Sequence, residues 1–310
     1  MAKTYLEAVR DSISTAEAHI VTEYDDDFEG TLASISRVPR YAMMTEPGKV
    51  AIVTDEPGVA QFYQTTQAQF ALHSSRFVTQ LASDWYVFFE NVPTRQLLSS
   101  GKLVTLNTLT LFPKADDGIR GEFLWERYRD EREAQVPNVD NPQTPVPIEA
   151  VRNLKLHSDH LDRVRAGDAA GIEKSLSKDC IWAVRSILPD REANPMMKAE
   201  GPSAVRDYFE KLFAAWEIRE VSVLTRTMKD WFVFAEEHWV ITGRQGSDEG
   251  NTVQFRKASI YPVTRVGELQ GELGYSTNIE STEWSERPAL GRPFWLGEGY
   301  KVNDDGTITK

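Results

Sequence analysis

Two histidines three residues apart, His157 and His160, open the search for chemistry in this chain. Imidazole titrates near neutral pH, so His160 is a candidate general acid or base. His19 repeats the residue type 141 positions earlier and is a second candidate. The plainer alternative for both is a helix histidine that satisfies a structural hydrogen bond. Two histidines at this spacing can share a helix face. No third ligand stands at a dependable spacing, so no metal is expected. Glu236, Glu237 and His238 interrupt an apolar stretch running from Trp231 to Trp239. Strand alternation puts Glu236 and His238 on one face with Phe232 and Phe234. A carboxylate buried there has its charged form disfavoured and becomes a useful acid or base. A strand end emerging into solvent is the alternative, and Glu90 shares the same logic. Lys257 stands among Phe255, Ser259 and Tyr261, where it can clamp negative charge or, if desolvated, supply an amine nucleophile. Arg185 can hold an anionic group or simply pair with an acid. Tyr41 and Trp182 are candidates for pocket mouths, with Phe232, Phe234 and Tyr261 as further lining; all are equally aromatics that fit a core.

Composition excludes several other chemistries. Lys and Arg number 35 against 47 Asp and Glu, a net charge of -12, with no long basic block. Such a surface repels phosphate backbones, so nucleic acid is not an expected partner. Cys180 is the one cysteine, which rules out an intramolecular disulfide and a multi-cysteine zinc site. No Gly-rich phosphate loop, dinucleotide fingerprint or Gly-x-Ser-x-Gly elbow is present, so no cofactor is expected. No apolar run reaches the roughly 20 residues that cross a bilayer, and the first residues lack a signal peptide's apolar core. A cytoplasmic protein without membrane contact is the expectation.

The elements that must position these groups come in duplicate. Asp84-Trp85-Tyr86-Val87-Phe88 is echoed by Asp230-Trp231-Phe232-Val233-Phe234, 146 residues on. An offset of 141 pairs Asp27 with Asp168, Tyr41 with Trp182 and His19 with His160. Each half reads as a long helix, a short helix, an extended segment, a helix opened by Pro-Gly or Gly-Pro, and a run of strands. The 310 residues suit two domains of roughly 130–150 residues. The expected boundaries are 1–130 for the first domain, 131–148 for a Pro-rich linker, 149–282 for the second domain and 283–310 for a tail. Trp284, Phe294 and Trp295 in that tail are expected to pack on a domain or partner.

The second half resembles the SnoaL-like and ketosteroid-isomerase-like (nuclear transport factor 2-like) superfamily. The residues that carry this are Arg165-Ala166-Gly167-Asp168-Ala169-Ala170-Gly171-Ile172, Leu176 to Trp182, and Glu200-Gly201-Pro202-Ser203-Ala204-Val205. The first half resembles it mainly through the repeat. The resemblance implies an α+β fold of two tandem cones, each a curved, mostly antiparallel sheet wrapped around helices. The family's steroid isomerases place a tyrosine seven residues before the Gly of the Ala-Gly-Asp turn; His160 occupies that position here, and His19 in the repeat. Their general-base aspartate has no counterpart near Ala183, Val184 and Arg185, which argues against steroid isomerase chemistry. A third family position, an acid on a late strand, falls near Lys257, with Thr108 as its mate. The implied function is a cofactor-independent acid–base enzyme, a lyase, dehydratase or isomerase, acting on a hydrophobic, aromatic or polycyclic small molecule. Relatives that release formaldehyde from lignin-derived diaryl compounds illustrate such chemistry. On this reading His160 moves the proton, Glu236 or His238 partners it, and Lys257 or Arg185 stabilises negative charge, with the second half as the active one. A non-catalytic ligand-binding or assembly module, or an accessory subunit of a larger enzyme, is the alternative, and a homo-oligomer is left open.

Overall fold

The computed structural model describes residues 4–128, 148–185, 196–278, 301–302 and 308–309. The Pro-rich run 129–147 and the tail aromatics Trp284, Phe294 and Trp295 lie outside the described residues. The first unit contains α1 (Tyr5–Tyr24), α2 (Phe28–Ala33), β1 (Tyr41–Glu46), β2 (Lys49–Val53), α3 (Glu56–Gln69), β3 (Phe70–Ala82), β4 (Tyr86–Leu97), β5 (Leu103–Ala115), β6 (Gly118–Ile119) and β7 (Phe123–Tyr128). The second contains α4 (Ile148–Ala166), α5 (Ala169–Glu173), β8 (Leu176–Arg185), β9 (Met196–Glu200), α6 (Pro202–Ala215), β10 (Trp216–Met228), β11 (Phe232–Gly243), β12 (Thr252–Pro262) and β13 (Leu269–Asn278). The main sheets run β2-β1-β7-β5-β4-β3 and β10-β11-β12-β13-β8-β9. Both are mixed: β1 with β7 and β13 with β8 pair in parallel, and the remaining pairs in these orders are antiparallel. The chain is therefore an α+β protein of two similar sheet-and-helix units, as the repeat predicts.

Local chemistry explains the shared element order. Thr4 and Glu7 form a reciprocal capping box that starts α1. Asp27 and Asp168, equivalent in the repeat, cap α2 and α5 by accepting from the amides of Gly30 and Gly171. Pro57 and Pro202 stand in the first turns of α3 and α6, where a missing amide proton costs nothing. The helices end at Gln69 and Ala215, and the chain turns straight into strands at Phe70 and Trp216. Strands β2 and β9 were not anticipated; they extend β1 and β8 as antiparallel neighbours.

The sheet faces turned away from the helices pack against each other through repeat-related residues. Phe88 stacks on Phe234 with centroids 4.2 Å apart and planes at 15°. The indole of Trp85 donates to Glu236 Oε1 at 3.0 Å, and that of Trp231 donates to Glu90 Oε1 at 3.2 Å. This reciprocity, in which each member of a pair meets the other's mate, is the logic of an isologous dimer interface realised within one chain. Arg256 completes it by forking onto both oxygens of Asp84 at 2.9 Å. Trp85→Phe strips Glu236 of one of its buried donors. It is expected to cost about 1–3 kcal/mol, read as a lower urea midpoint with an unchanged slope.

Candidate functional site

The face a strand residue occupies decides its reach here, because both faces of these strands are covered. Phe232, Phe234 and Glu236 belong to the interface between units rather than to a cone interior. Besides Trp85, Glu236 accepts from Tyr86 at 3.2 Å and meets Arg256 at 3.4 Å. Burial raises its pKa, against the pull of Arg256. His238 shares that outward side and pairs with Gln254 at 3.3 Å. The expected pairing of His160 with Glu236 or His238 is therefore not formed. Arg185 also lies toward the interface, over the Tyr275 ring at 4.8 Å and bonded to the Ser276 carbonyl. Tyr41 and Trp182 lie deep in their units, almost wholly buried, rather than at mouths.

Inside the second unit the neighbour of Glu236, Glu237, is the central acid. It accepts from Tyr261 at 2.7 Å, Trp239 at 2.7 Å and His157 at 3.2 Å, and Lys257 stands 3.3 Å away. Arg226 donates to His157 Nδ1, leaving Nε2–H to face Glu237. Lys257 bridges to Glu272 at 2.7 Å, and Ser259 donates to Glu272 at 2.6 Å. Burial would raise Glu237, yet Lys257 and His157 outweigh it and hold it below the carboxylate range. Burial would lower Lys257, yet Glu237 and Glu272 hold it charged. His160 sits in an aromatic cage of Trp182, Phe209 and Tyr261. Burial, then His157 and Lys257, bring it down to about 3, so it is a neutral imidazole at physiological pH. The remaining space, bordered by Trp182, Tyr208, Lys257 and Glu272, is about 30 Å³, room for one or two waters. A groove of about 390 Å³ between β9 and α6 carries Lys198, Asp207 and Lys211 at its surface. No pair of buried acids lines it.

The first unit is different. A cavity of about 150 Å³ opens between α1, α3 and the sheet, with Phe62, Tyr63, Phe89 and Phe112 among its walls. That volume matches an interior cavity known to hold one benzene molecule. Glu23, Arg95 and Glu122 also line it. His19 is fully buried behind it. Ser34 spends its hydroxyl proton on the Thr31 carbonyl, so it accepts from His19 Nδ1–H at 2.7 Å. His19 Nε2 then faces Tyr63 Oη at 3.1 Å and Glu23 Oε1 at 3.3 Å. Glu23 keeps 29% of its side chain accessible although protein surrounds it, because it borders the cavity. Burial would raise Glu23; His19, Tyr63 and Arg95 together outweigh it and lower its pKa. Glu122 goes the other way. Burial first, then the charges of Glu23 and Glu126, push it well above the carboxylate range, and Arg95 does not offset them. Arg95 is engaged by Glu126 at 2.7 Å.

Sheet register shows how one scaffold became two interiors. Asn91, Thr108 and Glu126 are cross-strand neighbours in the first unit. Glu237, Lys257 and Ser276 occupy the same positions in the second. The Glu237–Lys257 ion pair thus fills one cone where the neutral Asn91 and Thr108 leave space in the other. Thr108 is indeed the mate of Lys257, as the resemblance implies. Glu23 corresponds to the buried Val164 and Tyr63 to Phe209, so the second unit lacks both polar groups. Sequence reasoning did not single out Glu23, Tyr63, Arg95 or Glu122. One signal was present: Gly121-Glu122, just before β7, is repeated by Gly271-Glu272, within β13.

Among the described residues no group of three or more His, Cys, Asp or Glu side chains could hold a metal ion. No described helix is long and apolar enough to cross a membrane. The model of the SnoaL-like domain family matches residues 158–269. No curated protein sequence matches the chain. Similar solved structures include an NTF2-like protein from Burkholderia xenovorans, 10% identical, covering 38% of this chain and 91% of its own, with a TM-score of 0.33. An LEH-like epoxide hydrolase from M. tuberculosis is 15% identical over 40% of this chain and 84% of its own, TM-score 0.33. A ketosteroid isomerase-like protein from Erwinia carotovora is 13% identical over 39% and 96%, TM-score 0.31. Likeness at this level carries no information on activity.

Proposed function

Taking the second unit as a SnoaL-like domain and the first as its structural repeat, we propose that the protein is a cofactor-independent acid–base enzyme whose active cavity lies in the first unit. The observation that carries this is the pair of carboxyl groups on one small cavity, Glu23 and Glu122, driven in opposite directions by their surroundings. Two titratable groups pushed apart in this way define an acid and a base. Glu122 holds a proton and delivers it to a substrate oxygen; Glu23, ionised, takes a proton from a carbon of the same molecule. His19 and Tyr63 orient Glu23 and share its charge. Arg95 limits the repulsion between the acids. The aromatic walls exclude water and favour an uncharged ring. The reaction class is a dehydration or isomerisation that moves one proton off carbon and one onto oxygen.

A screen of single-ring hydroxy and oxo compounds, without added cofactor, tests this. Turnover lost in Glu23→Gln and in Glu122→Gln, with the fold intact, is the supporting result; turnover that survives both substitutions overturns it. The pH profile is a second check. The rate should rise through a pKa below the glutamate range as Glu23 ionises, and fall through one above it as Glu122 loses its proton. A profile governed by one group near the ordinary value contradicts the assignment.

A further inference from the structure

The two units carry opposite charge at one repeated place, and only the acidic copy borders the larger interior space. Thr22 to Asp26 of the first unit correspond to Arg163 to Gly167 of the second. The second stretch ends α4 on Arg163 and Arg165, which suits the negative carbonyl end of a helix. Helix α1 has no base in its last turn, and the chain sets Glu23, Asp25 and Asp26 against that same negative end. Asp26 also takes a left-handed backbone, with φ 53°, where the second unit has Gly167 at φ 68°. Glycine adopts that conformation freely, and an aspartate does so at a cost. Asp25 and Asp26 form no ion pair among the described residues. Local stability thus argues twice against the acidic version.

These residues stand instead at the opening of the first unit's cavity. Asp26, Tyr24 and Phe77 line it and are exposed, which marks its mouth, and Glu23 borders the interior three residues back. Deeper in the wall, Glu122 is 7% exposed and has no hydrogen-bond partner among the described residues. A buried carboxyl left without a protein partner beside open space is a group kept for a ligand. Arg95 is the cation in this wall, and Glu126 already engages it. The charge left over at the mouth is negative. We infer that the cavity selects a cation: a single-ring compound whose ring enters and whose ammonium group stays at the mouth, by Asp26, Glu23 and the carbonyl end of α1. This rests on the cavity being the functional site, and it narrows the substrate to a hydroxy or oxo ring that also carries an amine. The volume of about 150 Å³ is filled by one ring, so the charged substituent remains outside. Tyr24 and Phe77 supply aromatic surface there, which attracts a cation further. A carboxylate in the same place is repelled, and an uncharged substituent gains nothing from the acids.

Binding of benzylamine, benzyl alcohol and benzoate to the full chain, followed by ligand-observed NMR, tests the inference without any turnover. The three probes share one ring and differ in charge. The expected result is benzylamine bound about tenfold more tightly than benzyl alcohol at low salt, with benzoate not bound, because two carboxylates and a helix end each contribute modestly and their factors multiply. Added salt should erode the preference. Asp26→Gly installs the second unit's own residue and relieves the backbone. It should leave the urea midpoint no lower and remove a large part of the benzylamine preference. Benzyl alcohol bound as well as benzylamine by the wild type overturns the inference, and so does an undiminished preference in Asp26→Gly. Either result leaves the acid–base reading standing, since that is decided by turnover in Glu122→Gln. Binding of none of the three overturns both the cation site and the use of the cavity for single rings.

Discussion

Glu122→Gln should remove turnover by about 10²–10⁴-fold while leaving the protein folded, the range expected when a positioned general acid is lost. The amide keeps the shape of a protonated carboxyl and cannot deliver a proton. The same substitution makes a second, independent prediction about stability. A carboxyl whose folded pKa lies above its unfolded value binds more protons folded than unfolded. Its contribution is fully present below the unfolded pKa and is lost as pH rises through the folded one. Glu122 is raised well above the ordinary value, so it weakens the fold with rising pH over that window. Glu122→Gln abolishes this dependence and should flatten the decline that begins at the unfolded glutamate pKa, measured as urea midpoints across pH. A variant that is both inactive and unstable at every pH would assign Glu122 to structure instead.

Lys257→Met should be the most damaging single substitution in the second unit, at about 3–5 kcal/mol, because it leaves two buried carboxylates without their cation. Lys257 contacts Glu237 at 3.3 Å and Glu272 at 2.7 Å, and its ammonium lies 4.5 Å from the Trp239 ring centre. The methionine fits the space, so volume is not at issue. The expected readout is a large drop in denaturant midpoint. A companion Lys257→Met, Glu272→Gln, Glu237→Gln triple variant should recover much of the loss, since it removes the uncompensated charges with the cation. Failure of the triple variant to recover would mean that packing around Lys257, rather than charge balance, sets the cost. The assignment of turnover to the first unit adds a condition. Folded Lys257→Met should retain activity per molecule, because no part of this network lines the first unit's cavity.

The architecture was legible because duplication prints itself twice. The Asp-Trp strands, the paired aspartates Asp27 and Asp168, and the order of elements all agree within the sequence, and the α+β pair of units follows from them. The parity of the central strand was legible too: Glu236 does share a face with Phe232 and Phe234. Which face looks into the cone was not. Strand β11 is buried on both sides, one against helices and one against the partner sheet. Apolar alternation carries no sign that separates two buried faces. The inward acid was therefore Glu237, one residue from the expected Glu236.

His160 and His19 show a second limit. Both occupy the first-helix position that the family resemblance indicates, and both are buried. One is caged by aromatics and neutral; the other is bonded to Ser34 and faces Tyr63 and Glu23. The difference lies in residues brought together from separate elements. Glu23 comes from α1, Tyr63 from α3, Arg95 from β4 and Glu122 from the residue before β7, and no spacing along the chain connects them. Each alone reads as a surface acid or a core aromatic. Lys257 had the chemistry of a clamp, and its two glutamate partners turn it into a structural cation.

The most direct test of the central claim needs no substrate. Carbon-13 NMR of protein labelled at the glutamate carboxyl carbons, titrated from acid to alkaline pH, reads each carboxyl group by its own shift. Glu23→Gln and Glu122→Gln identify the two resonances. The predicted result is a Glu23 resonance that ionises below the ordinary glutamate value and a Glu122 resonance that stays protonated well above it. Two resonances that move together near the ordinary glutamate value would contradict the acid–base pair, and with it the placement of catalysis in the first unit.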